Sequence, residues 1–553
     1  MSPSLNPEGD IPLSRDISAQ ESKEKVHGAL ISGSLTDTSS IEPQSIRLPA
    51  VSLEERVPDN REKIIITEQE YPEVIGHAFP THKKWMILSV IFLVQTSMNF
   101  NTSLYANAQR AISQQFGVSH MAAVSGAAVF LVTYAFGCEL WAPWSEEFGR
   151  VAVLQASLFL VNICCLPVVF ASPNGFTSIL VGRAFGGLFS AGGSVTLGMV
   201  ADLFGSDNQE FALAFIVLSS VGGSIIGPIV GGFVEEYLDW QWTIWIQFIF
   251  GLFVQLLHLV FVCETRSTVL LDRHAKALRK SGERPNVYGP NELKTWREYL
   301  VPGELFSVWL RPFRMFITEP IVSVLSALSG FSDALIFMQI QSFALVFKLW
   351  NFTIIETGLA FLPIGISYIF AYLIFIPIIR RNRALRQKNP QSEHAQFESR
   401  MWCLLYLAPC LPIGLIIFAW TSTPHVHWIA PMVGCVFIGI ANYAIYMATI
   451  DYMVASYGPY SASATGGNGF ARDFLAGMLT WAAAPYYNSF QGKFGLQTAN
   501  TILAVVSLIL VAATFIIYFK GPSMRRRSSF AEKLKSNANN SNETMEIPLN
   551  ATI

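Results

Sequence analysis

Charged residues are scarce in this sequence, and their scarcity excludes an ordinary soluble protein. Only 14% of the 553 residues are Asp, Glu, Lys or Arg, whereas apolar residues make up 52%. A typical soluble domain has about 25% charged residues. The deficit is concentrated in blocks of about 20 residues, the length that a helix needs to cross a hydrocarbon core. Because backbone polar groups must pair internally in lipid, we expect these blocks to be transmembrane helices.

Sequence signals for catalysis and secretion are also missing. The seven cysteines follow no metal-ligand spacing, so we predict no metal site. We find no phosphate-binding loop and no nucleophile elbow, and we predict that the chain is not an enzyme. Residues 1–80 are polar and lack the early apolar segment of a signal peptide. We interpret them as a disordered cytosolic tail.

Twelve apolar segments follow, in two groups of six, which predicts an all-α membrane protein with two pseudo-symmetric halves. The organisation is a first six-helix half at 81–264, a cytosolic central loop at 265–315, a second six-helix half at 316–520 and a cytosolic tail at 521–553. The predicted spans lie at about 85–107, 119–143, 151–171, 175–201, 212–234, 241–263, 318–345, 355–379, 401–421, 427–450, 463–488 and 496–519.

Basic residues indicate the orientation of these spans. Lys and Arg are concentrated in the central loop, in the loop between the eighth and ninth spans, and in the C-terminal tail. The positive-inside rule therefore predicts that both termini are cytosolic. Asn351, in Asn-Phe-Thr, then falls in an outer loop and is a candidate for N-glycosylation.

Charges inside the spans are functional candidates, because each costs about 2.5–3.5 kcal/mol on insertion scales. Asp333 and Glu139 could carry a proton. The alternative for Asp333 is a carboxyl that is hydrogen-bonded to a neighbouring helix, and the alternative for Glu139 is a carboxylate at a helix end near the membrane interface. Arg183 must find a carboxylate, carbonyls or water, since a guanidinium stays charged. Arg472 and Asp473 are adjacent on a helix and point about 100° apart. We expect them to serve different neighbours rather than each other.

The fifth span carries closely spaced glycines. Gly223, Gly227 and Gly231 follow small-xxx-small spacing, which allows close approach of helix backbones. Pro228 removes a backbone hydrogen bond and is expected to kink the helix. Gly232 ends the glycine pattern. Simple helix packing and a bent helix that rocks between conformations are both compatible with this pattern.

Polar and aromatic side chains in the first, seventh and tenth spans predict a wet central cavity. The candidates for its wall are Asn101, Tyr105, Gln339, Asn442 and Tyr446. Asn442 and Tyr446 are four residues apart and share one helix face. For each of these residues the alternative is ordinary packing or a satisfied hydrogen bond.

Several motifs resemble a known family. Residues 142–150, Ala-Pro-Trp-Ser-Glu-Glu-Phe-Gly-Arg, match the loop motif Gly-x-Leu-x-Asp-Arg-x-Gly-Arg, with Glu146 at its acidic position and Gly149 and Arg150 at its end. Arg183 matches a fourth-span motif, and the glycines at 223–232 match a fifth-span antiporter motif. Together they resemble the major facilitator superfamily, in its fungal twelve-span drug:proton antiporter group, which includes polyamine and multidrug exporters. Ala142 stands where the loop motif usually has Gly.

The resemblance implies that proton influx drives the export of a drug, a polyamine or a secondary metabolite by alternating access. An uptake symporter or facilitator of the same fold is the alternative, and a non-transporting membrane receptor is a weaker one. It further implies a monomer in the lipid bilayer, of the plasma membrane or alternatively the vacuole, with a small-molecule substrate and protons, no nucleic acid and no cofactor.

The resemblance also implies roles for particular residues. Glu146, Gly149 and Arg150 would form a conformational latch that contacts the second half near Arg472 or Asp473. As charges inside the spans, Arg183, Arg472 and Asp473 are also expected to belong to an intramembrane charge network. For the proton-coupling carboxyl, we choose Asp333 first and Glu139 second.

Overall fold

The structure is a computed structural model that describes residues 63–172, 175–205, 208–293, 302–457, 461–490, 492 and 494–527. Most of the two predicted tails, residues 1–62 and 528–553, lies outside these described residues. Within them, eleven helical segments are long and apolar enough to cross a membrane. A further helix, Ser461–Ser489, is as long as several of these but is less apolar, because it contains Arg472, Asp473 and many small residues.

This helix packs against the second and seventh spans, and we count it as span 11. The all-α, twelve-span prediction is confirmed. Spans 1 to 12 are, in order, Thr81–Phe116, His120–Phe148, Arg150–Val169, Phe176–Leu203, Gln209–Tyr237, Gln241–Phe261, Pro320–Trp350, Ile354–Lys388, Glu398–Thr421, Ile429–Tyr457, Ser461–Ser489 and Gly495–Arg526. We call the end of the bundle where span 1 begins and span 12 ends the terminal face, and the other end the opposite face.

Some spans change helix geometry part-way. Short 3-10 turns lie in spans 1 and 4, and spans 8 and 9 each consist of two helices. The segments are Leu104–Ala108 in span 1, Ala191–Ser194 in span 4, Ile354–Leu359 and Leu362–Lys388 in span 8, and Glu398–Leu407 and Cys410–Thr421 in span 9. Span 5, by contrast, remains one helix through Pro228.

The two halves, spans 1–6 and spans 7–12, meet mainly along two helix pairs, and spans 5 and 10 also touch, where the Tyr443 hydroxyl donates to the Ala214 carbonyl. Span 2 packs against span 11, and span 5 packs against span 8. Small residues permit the first contact: a Cβ atom on Gly477 would lie 3.0 Å from the backbone oxygen of Ala128. Leu131, Ala334, Phe337 and Ala476 form an apolar cluster across the same boundary.

A small unit lies on the terminal face and joins the segment before span 1 to the segment after span 6. Strand β1, Ile64–Ile65, pairs in parallel with strand β2, Val287–Tyr288. Helix Ser267–Ser281 packs on them, and Ile66 is buried in the resulting apolar cluster. The predicted disordered tail therefore extends too far: residues 63–80 include strand β1, which pairs with β2, and Ile66, which is buried against a distant part of the chain.

Two further boundaries differ from the prediction. Helix Pro302–Thr318 precedes span 7, within the predicted central loop. Span 12 continues to Arg526, beyond the predicted start of the tail at residue 521. Its last turn is held because Arg525 Nη1 donates to Glu398 Oε1 at 2.5 Å and to the Tyr452 hydroxyl at 2.6 Å.

Candidate functional site

A buried charge cluster lies at the boundary between the halves, on spans 7 and 11. Arg472 Nη2 is 3.1 Å from Asp473 Oδ2, and Arg472 Nε donates to Asp473 Oδ1 at 3.3 Å. Asp333 Oδ2 is 3.8 Å from Arg472 Nε. The prediction that Arg472 and Asp473 do not pair was wrong. Their Cβ atoms do diverge, but the long arginine side chain turns back, and burial away from water strengthens the attraction.

Glu139 of span 2 faces span 11 beside this cluster. Its side chain is 2% exposed, and its Oε1 has no hydrogen-bond partner among the residues that the structure describes. Gly466 makes room for it, since a Cβ atom there would lie 2.9 Å from Glu139 Oε2. The neighbouring Cys138 thiol approaches Asp473 Oδ2 at 4.0 Å. Glu139 is therefore a carboxyl in the interior of the helix bundle.

Within the part of the chain that the structure describes, one cavity lies between the halves towards each face. The terminal-side cavity has a volume of about 250 Å³ and is lined by Tyr446, Arg472 and residues of spans 1, 2 and 4. The opposite-side cavity has a volume of about 650 Å³ and a polar wall that includes Asn107, Glu235 and Gln341. The charge cluster thus borders the terminal-side cavity, where the guanidinium of Arg472 lies 4.5 Å from the Tyr446 ring centre.

Among the predicted cavity residues, only Tyr446 lies in the wall of either cavity. Asn442 is bonded within the second half, to the hydroxyls of Tyr368 and Ser332. Gln339 is 3% exposed, and neither its side-chain oxygen Oε1 nor its side-chain nitrogen Nε2 has a partner among the described residues. Asn442 and Gln339 therefore do not line either cavity, contrary to the prediction. A helix pattern shows which residues share a face, but it does not show which neighbouring helix covers that face.

The other two predicted cavity residues surround Arg183 inside the first half. Arg183 Nη1 donates to the Asn101 backbone oxygen at 3.1 Å, and its guanidinium lies 4.4 Å from the Tyr105 ring centre and 4.0 Å from that of Phe130. The Tyr105 hydroxyl donates to the Ala123 carbonyl at 3.2 Å. The structure therefore separates Arg183 from the Arg472 cluster, and the predicted single charge network consists of two sites.

The loop motif between spans 2 and 3 is held within the first half. Gly149 has a φ of 96°, a left-handed value that favours glycine, and a Cβ atom there would lie 2.5 Å from Glu264 Oε2. Arg150 donates from its backbone to Glu264 Oε1 at 3.0 Å, and its Nε contacts Asp202 Oδ2 at 2.9 Å. Glu146 accepts a hydrogen bond through its backbone oxygen, from Arg266 at 3.2 Å.

Glu146 and Arg150 line the same terminal-side cavity as Arg472. The contacts described for Arg150 nevertheless bind the ends of spans 4 and 6 to the loop rather than one half to the other. The predicted latch between the two halves at Glu146, Gly149 and Arg150 stays a prediction.

A charged contact that the sequence did not reveal joins the halves at the terminal face. Glu210, at the start of span 5, lies 2.6 Å from Arg386 of span 8 and 2.7 Å from Arg400 of span 9. Asp451 of span 10 also contacts Arg400, at 2.5 Å. We call these four residues the terminal clamp. In the sequence, Arg386 contributes only to the basic character of a loop, and nothing local connects it with Glu210.

The glycines of span 5 divide between two partners. Gly223, Gly227 and Gly231 face span 1, where added Cβ atoms would lie 2.6 Å or less from span 1 atoms. Gly232 instead faces span 8, and a Cβ atom on Gly358 would lie 2.9 Å from the Pro228 carbonyl oxygen. Span 5 therefore approaches the second half closely at both faces.

Comparison with known proteins identifies the family. The model of the Major Facilitator Superfamily matches residues 90–480. The chain belongs to this superfamily. Its members are membrane transporters and not enzymes. The chain is 29% identical to an MFS-type transporter, paaT, of Penicillium rubens, over 84% of this chain and 83% of that protein. It is also 29% identical to the ascochitine biosynthesis cluster MFS transporter of Didymella fabae, over 82% of this chain and 87% of that protein.

Solved structures share the fold of this transporter. The proton:xylose symporter XylE bound to 6-bromo-6-deoxy-D-glucose gives a TM-score of 0.57 at 14% identity, over 80% of this chain and 97% of that chain. A partially occluded, inward-open conformation of XylE from E. coli gives a TM-score of 0.55 at 13% identity, over 79% and 98%. At this level of identity the similarity concerns the fold alone.

Proposed function

We propose that this transporter exports small organic compounds in exchange for protons, by alternating access of its two halves. The observation that carries the proposal is the pair of carboxylates, Asp333 and Asp473, beside the Arg472 guanidinium at the boundary between the halves, together with the buried Glu139 of span 2, whose neighbour Cys138 contacts Asp473. Asp333 and Asp473 together outweigh Arg472 by one negative charge, and Glu139 adds another when it is ionised.

The cluster offers a physical route to coupling. Uncompensated charge is expensive away from water, so protons lower the energy of the conformation in which the cluster is buried. In a conformation that exposes the cluster to water, ionisation costs little. Proton binding and conformation are then linked, because a ligand shifts an equilibrium by its differential affinity for the two states. Glu139 lies at the contact between spans 2 and 11, which must change when the halves move.

The substrate class we propose is a secondary metabolite, with drugs and polyamines as the other members of the predicted group. The ascochitine biosynthesis cluster transporter, which aligns over most of both chains, supports this choice. Export is favoured over uptake by the glycine-proline pattern at 223–232, which resembles the antiporter motif. The same cluster would also serve a symporter, so the direction of transport has to be measured.

The proposal includes an orientation. The positive-inside pattern supports a cytosolic terminal face with both termini on that side. The family resemblance favours the plasma membrane, with the vacuolar membrane as the alternative. Asn351 is exposed in the loop between spans 7 and 8, on the opposite face, and is therefore a candidate for glycosylation outside the cell.

The test is accumulation of a compound identified by a growth screen of a deletion strain against toxic metabolites, drugs and polyamines. Cells with the wild-type transporter should accumulate less compound than cells without it, and a protonophore should remove the difference. Asp333→Asn and Glu139→Gln should each lose the protonophore-sensitive part of the export, while the amount of transporter at the cell surface stays unchanged. Glu236→Gln, at an exposed position of span 5, is the matched control.

Two outcomes would contradict the proposal. Full protonophore-sensitive export in both cluster variants would show that these carboxyls do not couple transport to protons. Higher accumulation in cells with the transporter, abolished by the protonophore, would show uptake instead of export.

A further inference from the structure

Arg183 is a buried cation whose partners are all uncharged. It is 3% exposed and lies in span 4, surrounded by spans 1, 2, 3 and 6 of the first half. Its Nε and Nη1 donate to the carbonyls of Gly126 and Asn101 at 3.4 and 3.1 Å, and two aromatic rings cover its faces. These contacts satisfy two nitrogens but supply no anionic charge. Among the residues that the structure describes, Arg183 forms no ion pair, and its Nη2 has no hydrogen-bond partner.

A small cavity lies beside this guanidinium. Its wall includes Asn101, Arg183 and Gln247, with apolar and sulfur-containing side chains of spans 3, 4 and 6 around them. Gln247 Nε2 and Asn101 Oδ1 are also buried and unpartnered within the described part of the chain. Three polar side chains from three spans thus meet at one cavity. Each of them is only 2–3% exposed.

The size and charge of the cavity define its ligand. The free volume of about 10 Å³ leaves room for one water molecule or one small ion, so an organic molecule does not fit. Arg183 and Gln247 present N–H donors and Asn101 presents an amide, which can turn its NH₂ group inward as readily as its oxygen. A water molecule would satisfy the donors but would leave the guanidinium charge uncompensated, whereas an anion does both.

We propose that Arg183, Gln247 and Asn101 form a binding site for one small monovalent anion of the size of chloride. The anion would neutralise Arg183 inside the membrane and hold spans 1, 4 and 6 together. It takes no part in the coupling cluster around Arg472, so the site is independent of the proposed proton exchange.

The test is thermal unfolding of the purified full-length transporter in sodium chloride and in sodium gluconate at equal ionic strength. A ligand that binds only the folded state raises its stability, so chloride should raise the wild-type Tm by about 2 °C or more. Gln247→Leu, which lacks the second donor, should lose most of this shift. Gln247→Glu should also lose it while retaining a high Tm in gluconate, because the new carboxylate replaces the anion beside Arg183.

Gln255→Leu is the matched control. It removes a glutamine from the same span, whose Oε1 accepts from Asn162 Nδ2 at 2.9 Å. This variant should lower the Tm equally in both salts and keep the chloride shift. A wild-type Tm that is the same in chloride and gluconate would mean that the cavity holds water only and would overturn the proposal. A chloride shift that survives in both Gln247 variants would place the anion elsewhere and would also overturn it.

A crystal structure of the full chain grown in bromide provides a second measurement. We expect an anomalous peak within hydrogen-bond distance of Arg183 Nη2 and Gln247 Nε2. Anomalous density only at surface positions would overturn the assignment of this cavity.

Discussion

The three carboxyls that we propose to couple transport to protons, Glu139, Asp333 and Asp473, differ in the contacts that hold them. Asp473 forms two contacts with Arg472 at 3.1 and 3.3 Å, whereas Asp333 lies 3.8 Å from the same guanidinium. Glu139 has an unpartnered oxygen within the described residues. Asp333 and Glu139 can therefore exchange a proton without disrupting the Arg472–Asp473 pair. This difference in contacts is why the cluster variants in the accumulation experiment replace these two residues.

A pH effect is expected at a single residue of the terminal-face unit. Arg279 Nη1 and Nη2 donate to Glu292 at 2.6 and 2.8 Å, and this hydrogen bonding lowers the pKa of Glu292 below its usual value. The stability that the pair contributes is present above the unfolded pKa of a Glu, about 4.3, and is lost as the pH falls through the lower folded pKa.

Hydrogen exchange measures this effect. The backbone amides of Ile64 and Ile66 donate to carbonyls of the β2 region at 3.0 Å each, and their protection should decrease as the pH falls through that range, after correction for the intrinsic pH dependence. Glu292→Gln should remove the pH-dependent part of this protection, while Glu283→Gln, a substitution at an exposed position, should retain it. Identical pH profiles for wild type and Glu292→Gln would contradict the assignment.

The pairing of Arg472 with Asp473 shows what a sequence predicts at the residue scale. The periodicity of a helix gives the direction in which each side chain leaves the backbone, and it correctly places both residues inside a span. It does not give the end point of a long side chain, which depends on the charges that other spans bring near. The nearby Asp333 and the exclusion of water are properties of the packed bundle, so the local geometric argument failed.

At the scale of the element, span 5 shows a sequence pattern with a direct structural use. Its glycines bring it into close contact with span 1. Gly227 is the tightest of these positions: a Cβ atom there would lie 1.9 Å from Ser103 Oγ and 2.8 Å from the backbone nitrogen of Leu104. The pattern predicted a closely packed helix, but it could not show which span is the partner.

A pair of glycine substitutions tests this packing. Gly227→Ala should destabilise the transporter by about 1–3 kcal/mol, because span 1 has to move to accept the methyl group. Gly222→Ala is the matched control, since a Cβ atom there meets nothing within 4 Å. The measurements are Tm and surface amount. Equal effects of the two substitutions would show that the close approach of spans 1 and 5 does not limit stability.

Elements formed by distant segments were not predictable. Strand β1 is only two residues long, and its partner Val287 lies more than two hundred residues further along the chain. Ile64, Ile65 and Ile66 form a short run of β-branched residues, but the sequence does not show its partner, because burial of Ile66 under the helix Ser267–Ser281 depends on the folded position of both segments. The spans, by contrast, were predictable because eleven of those described have a local apolar signal of sufficient length, and the less apolar span 11 completes the second group of six.

At the scale of the whole molecule, spans 5 and 8 connect the halves at both ends of the bundle. At the opposite face the contact is the close approach of Gly358 to Pro228 and Gly232. At the terminal face it is the terminal clamp, in which Glu210 is 2% exposed. The opposite-side cavity is the larger of the two, about 650 Å³ against about 250 Å³. The alternating access that we propose requires the terminal clamp to break when the terminal face opens.

Glu210→Gln therefore should favour conformations that are open at the terminal face. The substitution removes the negative charge that holds both Arg386 and Arg400, and breaking a buried ion pair costs about 3–5 kcal/mol in the state that contains it. We expect the population of the open state to rise by about tenfold or more. The measurement is the labelling rate of a cysteine placed at Leu213, in the wall of the terminal-side cavity, in a variant without the seven native cysteines. A membrane-impermeant maleimide is applied to inside-out vesicles.

Glu236→Gln is the matched control, because it removes a carboxylate from the same span at an exposed position of the opposite face. Its labelling rate should equal that of the parent variant. Arg386→Ala should give an intermediate rate, since Arg400 still pairs with Glu210 at 2.7 Å. If Glu210→Gln labels no faster than the control, the terminal clamp does not keep this face closed. The latch predicted at Glu146 and Arg150 would then be the first alternative to test, because these residues line the same cavity.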